Sequence, residues 1–139
     1  MNKDELLGKV KTLGFTLGTY AVFGSGPLVV HQIREVSDID IIVKPDVYQK
    51  LRQSSDWEIK NWPSGGEYLS KNIFEIAAGW HYLSAYQPDI DKLINEAELI
   101  QGIPFIRLEE VVKWKKAFGR EKDFQDIKLI EEYFLSFKN

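Results

Sequence analysis

A chain of 139 residues that is 44% hydrophobic, 13% aromatic and 28% charged has the size and bulk of one folded domain covering residues 1–139. That excludes a disordered tract and leaves little chain for a second independent core. Without cysteine, and with His31 and His81 as its two imidazoles, it can build neither a disulfide nor a thiolate zinc site, a composition suited to a reducing cytosol. The formal net charge of −3 gives no overall attraction to a phosphate backbone, so extended nucleic-acid binding would need a local basic patch.

Lys3, Asp4, Glu5 and Lys9 interrupt the first ten residues. No apolar signal segment is expected there, and no run approaches the roughly 18 residues of a membrane span, so the chain is expected to be cytoplasmic and free of membrane contact. Leu6, Val10 and Leu13 predict an amphipathic helix over residues 4–13, stopped by Gly14. Residues 19–23 predict a strand, which Gly24-Ser25-Gly26 breaks before Pro27 opens an apolar stretch to Ile33. The order inferred is strand, glycine turn, helix.

Residues 37–43, Ser-Asp-Ile-Asp-Ile-Ile-Val, place Ile39, Ile41 and Val43 on one face of a buried strand and Asp38, Asp40 and Ile42 on the other. Pro45-Asp46 begins a helix to about Gln53 with Val47 and Leu51 inward, and residues 57–61 predict the next strand. After the Pro63-Ser64-Gly65-Gly66 turn, residues 67–70 and 72–77 form either two short strands or one broken at Lys71-Asn72. Residues 89–97 predict a helix, 103–106 a strand, and 108–118 with 123–137 a helical C-terminal segment. Strands alternating with helices in the first half imply an α/β (α+β) fold, a mixed β-sheet flanked by helices.

The acids carry the chemistry. Alternate strand residues project from one face about 6.5–7 Å apart, so Asp38 and Asp40 can converge on common ligands. Two such charges at about 5 Å repel by roughly 3 kcal/mol at an effective dielectric of about 20, which a bound cation would reverse. A hard ion such as Mg²⁺ takes oxygen ligands and keeps nucleotide phosphates among them, so two carboxylates suffice. At Gly24-Ser25-Gly26, glycines admit a phosphate close to the backbone, the following helix start presents free N–H groups, and Ser25 adds a hydroxyl. Together these would grip a nucleoside triphosphate, and an acceptor hydroxyl would displace pyrophosphate, with one or two Mg²⁺ ions stabilising the oxygens that enter and leave.

Phe23-Gly24-Ser25-Gly26 followed by Ser37-Asp38-Ile39-Asp40-Ile41-Ile42-Val43 resembles the signature of the DNA polymerase beta-like nucleotidyltransferase superfamily, in its small stand-alone domains. The resemblance implies the nucleotidyltransferase fold, nucleotide binding at Gly24, Ser25 and Gly26, and metal binding at Asp38 and Asp40. It also implies a third acid on a neighbouring strand, for which Glu75 within Ile73-Phe74-Glu75-Ile76-Ala77 is the candidate, as metal ligand or acceptor base. The run from Lys116 to Asp123, continuing to Asp126-Ile127, resembles a segment that forms a closing helix pair in such proteins.

Each feature has a plainer reading. Asp38 and Asp40 could be exposed acids at a strand end, the glycines a tight turn, and Ser25 a helix cap. Glu75 could pair with Lys71, and Arg34 with Glu35 or Asp38. Trp80 and Tyr82 could stack a base or fill the core, and His81 could be a base or a surface residue. Lys113, Lys115, Lys116, Arg120 and Lys122 read as a solvated helix surface, while Lys116, Arg120 and Lys122 could instead touch the triphosphate or an acidic acceptor, or bind neighbouring helices through Asp123 and Asp126. Two functions follow. One is an enzyme moving a nucleotidyl group, from ATP for preference, to a hydroxyl on a small molecule, an RNA end or a protein. The other is a non-catalytic nucleotide- or partner-binding module, such as half of a toxin–antitoxin pair. The short chain leaves acceptor binding to a partner protein or a second copy in a homodimer.

Overall fold

The computed structural model describes residues 1–137. In chain order the elements are α1 (Lys3–Lys11), β1 (Tyr20–Phe23), α2 (Gly26–Val30), β2 (Ile39–Val43), α3 (Pro45–Arg52), β3 (Glu58–Asn61), β4 (Glu67–Lys71), β5 (Phe74–Ala77), α4 (Ile90–Asn95), β6 (Glu98–Ile100), β7 (Ile103–Phe105), α5 (Leu108–Phe118) and α6 (Glu121–Leu135). The strands form one mixed sheet in the order β3-β4-β5-β2-β1-β7-β6. At its centre β1 runs antiparallel to β2, while β1 pairs with β7 and β2 with β5 in parallel.

The central strands are apolar on both sides because helices cover both faces. Val22, Ile39, Ile41, Val43 and Ile76 pack on one face with Leu6, Leu7 and Val10 of α1 and Tyr48 of α3. Ala21, Phe23 and Ile42 pack on the other with Leu93, Val111, Trp114 and Ile130 from α4, α5 and α6. Each fully buried Leu or Ile contributes about 1.5–3 kcal/mol of transfer free energy, so these two layers fix the sheet between its helices. The local signals agree with this packing. Asn2 and Glu5 close a capping box at the start of α1, and Gly119 ends α5 in the left-handed region at φ 71°, as a helix C-terminus favours.

Several elements differ in detail from their sequence patterns. Residues 67–77 form two antiparallel strands, β4 and β5, with Asn72 at φ 55° making the turn that the pattern left open. In α3 the buried residue is Tyr48, whose hydroxyl donates to Glu67 at 3.0 Å, while Val47 and Leu51 are half-buried. The helix after the glycine turn starts at Gly26 and lasts five residues, because the chain turns away with Gln32 at φ 59°. The edge strand β6 lacks a sequence signal, since it has three residues and none is buried. Among the described residues, no helix is long and apolar enough to cross a membrane.

Candidate functional site

Register brings the acids together. Asp40 of β2 lies opposite Phe23 of β1 on one side and opposite Glu75 of β5 on the other. Residues paired across adjacent strands project from the same face, so the Asp40 and Glu75 carboxyls are neighbours. Asp38 is exposed just ahead of β2, separated from Asp40 by the buried Ile39. Ser25, Asp38, Asp40 and Glu75 line a single cleft of about 480 Å³, a volume in the range of small-ligand sites.

The position of Asp40 is electrostatically costly. Burial, then the hydrogen bond and charge of Glu75, then the charge of Asp38 push its carboxyl up to about 8, against a smaller opposing pull from Lys115. Gly24 makes the position possible. It adopts φ +60°, and a Cβ there would overlap Asp40 Oδ2, so the missing side chain makes room for the carboxyl itself. Gly26 is buried, and its Cβ would overlap Val22 Cγ1. Of the three turn residues, Ser25 is the one that lines the cleft.

Ser25 does not cap α2 with its side chain. Its hydroxyl instead accepts from Arg34 Nη2 at 3.0 Å and from Lys115 Nζ at 3.4 Å. Arg34 does not pair with the carboxylate of Glu35 or Asp38. It grips Asp126 through Nε and Nη2, both at 2.7 Å, and donates to the Glu35 carbonyl at 2.9 Å. Lys115 joins Asp126 at 2.9 Å and Asp123 at 3.6 Å, and Arg120 forks onto Asp123 with contacts at 2.7 and 3.0 Å. Burial would raise the Asp126 carboxyl, but the hydrogen bonds from Arg34 and Lys115 outweigh it and hold the carboxyl below its ordinary value.

Lys115 overturns the solvated-surface reading of the basic run, since its side chain is 2% exposed. A sequence signal did exist: Leu108, Val111 and Lys115 recur at the spacing of one helix face, and all three are buried. Lys116 and Lys122 are exposed, as a solvated face requires, and Lys122 borders the cleft. Lys71 lies over the Trp57 ring at 5.6 Å and not against Glu75. Trp80 is a core residue at 2% exposure. Tyr82 is half-buried at the cleft, accepts from Trp114 Nε1 at 3.1 Å, and stacks against Trp62 with ring centroids 4.8 Å apart. His81 is exposed beside Gly66 and Gly79.

Among the described residues, no three Asp, Glu or His side chains are already gathered about a point that a metal would occupy. The donor chemistry nevertheless fits a hard divalent ion. Asp40 and Glu75 are paired, Asp38 reaches the same cleft from an exposed position, and a cation there would offset the cost of ionising Asp40. A scan against family models, a search of curated proteins and a search of solved structures each found no match to this chain.

Proposed function

We propose that the chain is a metal-dependent nucleotidyltransferase of the DNA polymerase beta-like kind, moving a nucleoside monophosphate from a triphosphate, for preference ATP, to a hydroxyl acceptor. The observation that carries this reading is the register that sets Asp40 between Phe23 and Glu75, in one cleft with Asp38 and Ser25. Asp38, Asp40 and Glu75 would hold Mg²⁺, which when bound supplies Lewis-acid stabilisation of the phosphate oxygens. Ser25 would donate to a phosphate oxygen and help fix the triphosphate for in-line attack. The acceptor oxygen forms its bond to the α-phosphorus as the bond to the pyrophosphate oxygen breaks. Glu75 takes the acceptor proton, which requires a carboxylate within reach of that hydroxyl.

A module that binds a nucleotide without turnover is favoured by one feature: burial, then Glu75, pushes the Asp40 carboxyl up to about 8, and a proton held between the two acids competes with a metal ion. Incubation with ATP labelled at the α-phosphate, magnesium and mixed hydroxyl acceptors separates the two readings. The transferase reading expects pyrophosphate release and labelled product from wild type, reduced at least ~100-fold in Asp38→Ala/Asp40→Ala. Magnesium-dependent ATP binding with no labelled product would favour the module.

A further inference from the structure

A hydroxyl oxygen offers two lone pairs and one proton. At Ser25 both lone pairs are engaged, by Arg34 Nη2 at 3.0 Å and more weakly by Lys115 Nζ at 3.4 Å. The proton is the remaining polar capacity, and among the described residues it is donated to no acceptor. Neither cation is free to drift. Asp126 holds Arg34 with two contacts at 2.7 Å, the Glu35 carbonyl takes a third N–H at 2.9 Å, and Lys115 is tied to Asp126 at 2.9 Å within the buried contact of α5 and α6. Ser25, Arg34, Lys115 and Asp126 all line the cleft that contains the acids.

We infer that Arg34 and Lys115, clamped by Asp126, are positioning residues that turn the Ser25 O–H into the cleft to donate to an oxygen of a polyphosphate. The class of ligand rests on the nucleotidyltransferase reading, while the direction of the hydroxyl rests on the donors that occupy its oxygen. The helix pair α5–α6 thereby acts on the turn after β1, because Asp126 is 92 residues from Arg34 in sequence and yet fixes the group that fixes Ser25. Arg34 suits this task better than lysine would, since its planar fork bonds both Asp126 oxygens and still directs an N–H to Ser25.

The test is a double-mutant cycle on inorganic tripolyphosphate binding in magnesium buffer, by calorimetry, with Ser25→Ala, Arg34→Lys and the pair. Arg34→Lys keeps a cation opposite Asp126 and gives up the fork, and thermal melts check that each variant folds. Loss of one hydrogen bond to an anionic ligand weakens binding roughly tenfold. Each single variant is expected to lose about that much, and the pair no more than Ser25→Ala alone, because Arg34 acts through the hydroxyl. Losses that multiply toward ~100-fold, an Arg34→Lys protein with unchanged affinity, or a wild type that takes up no tripolyphosphate would each overturn the inference. Multiplying losses with ATP transfer intact remove the positioning role alone. Coupled losses with no transfer to any acceptor remove the transferase reading alone.

Discussion

Asp40→Asn is expected to make the metal-free protein more stable at pH 9 and to leave it nearly unchanged at pH 4. In the folded chain, burial first and then Glu75 and Asp38 keep a proton on Asp40 up to about pH 8, whereas an exposed carboxyl loses it near 3.8. The raised value fixes the sign. Between those two pH values the folded state binds one more proton than the unfolded state, so wild-type stability falls as pH rises, and the loss is complete above about 8. The full window corresponds to roughly 6 kcal/mol, but Asp40 is only half-buried at the cleft, so water entry with side-chain movement would reduce it to on the order of 2–3 kcal/mol. Asparagine has no charge to bury and can still donate to Glu75, so its curve should be flatter. Chemical denaturation of both proteins at pH 4, 7 and 9 in a chelator checks this. Equal slopes would mean that Asp40 is as well solvated as an ordinary surface acid.

Lys115→Met is expected to cost about 3 kcal/mol near neutral pH, a fall in melting temperature of roughly 10 °C for a domain of this size. The lysine lies between Asp123 and Asp126, which are 0% and 5% exposed, and removing it leaves two buried carboxylates that share Arg120 and Arg34. Breaking a buried pair from one side typically costs 3–5 kcal/mol, and the surviving arginines place this case at the low end. Asp126 sets the pH dependence. Its lowered folded value means that its contribution is present above the ordinary carboxylate range and is lost as pH falls through the folded value. The penalty of Lys115→Met should therefore shrink on acidification, and adding Asp126→Asn should recover part of it at pH 7. A penalty independent of pH would point to lost packing against Trp114, whose ring lies 5.1 Å from Nζ.

Asp40 was legible because a period of two is local: Ile39, Ile41 and Val43 must face one core, which sends Asp40 to the opposite face, whereas Asp38, read on the same strand, lies just ahead of its first residue. Glu75 was legible for the same reason between Phe74 and Ile76, and pairing with Asp40 then needed only the parallel register of β2 and β5. The mixed sheet and the helical C-terminal segment followed from periodicity in the same way. What could not be read was set by contacts distant in sequence. Arg34 next to Glu35 invited a local ion pair, yet its partner is Asp126, and no pattern along the chain couples those positions. Gly24 looked like a place for a phosphate to approach, but its bare Cα first accommodates Asp40, a neighbour created by the β1–β2 pairing.

Lys115 is a different kind of miss, because a charge among Lys113 and Lys116 resembles every solvated face. Its burial follows from the helical stripe it shares with Val111 and from two acids supplied by α6. The same arrangement links the two halves of the cleft: Lys115 reaches Ser25 at 3.4 Å and lowers the cost of charge on Asp40. One buried cation thus influences both the Ser25 hydroxyl and the Asp40 carboxyl.

Calorimetric titration with magnesium and an ATP analogue that cannot be cleaved between its α- and β-phosphates reads the shared site most directly. If Asp38 and Asp40 hold the metal of a magnesium–nucleotide complex, uptake by wild type is saturable, needs both components and disappears in Asp38→Ala/Asp40→Ala. Uptake undiminished in that variant, or none in wild type, would contradict that assignment.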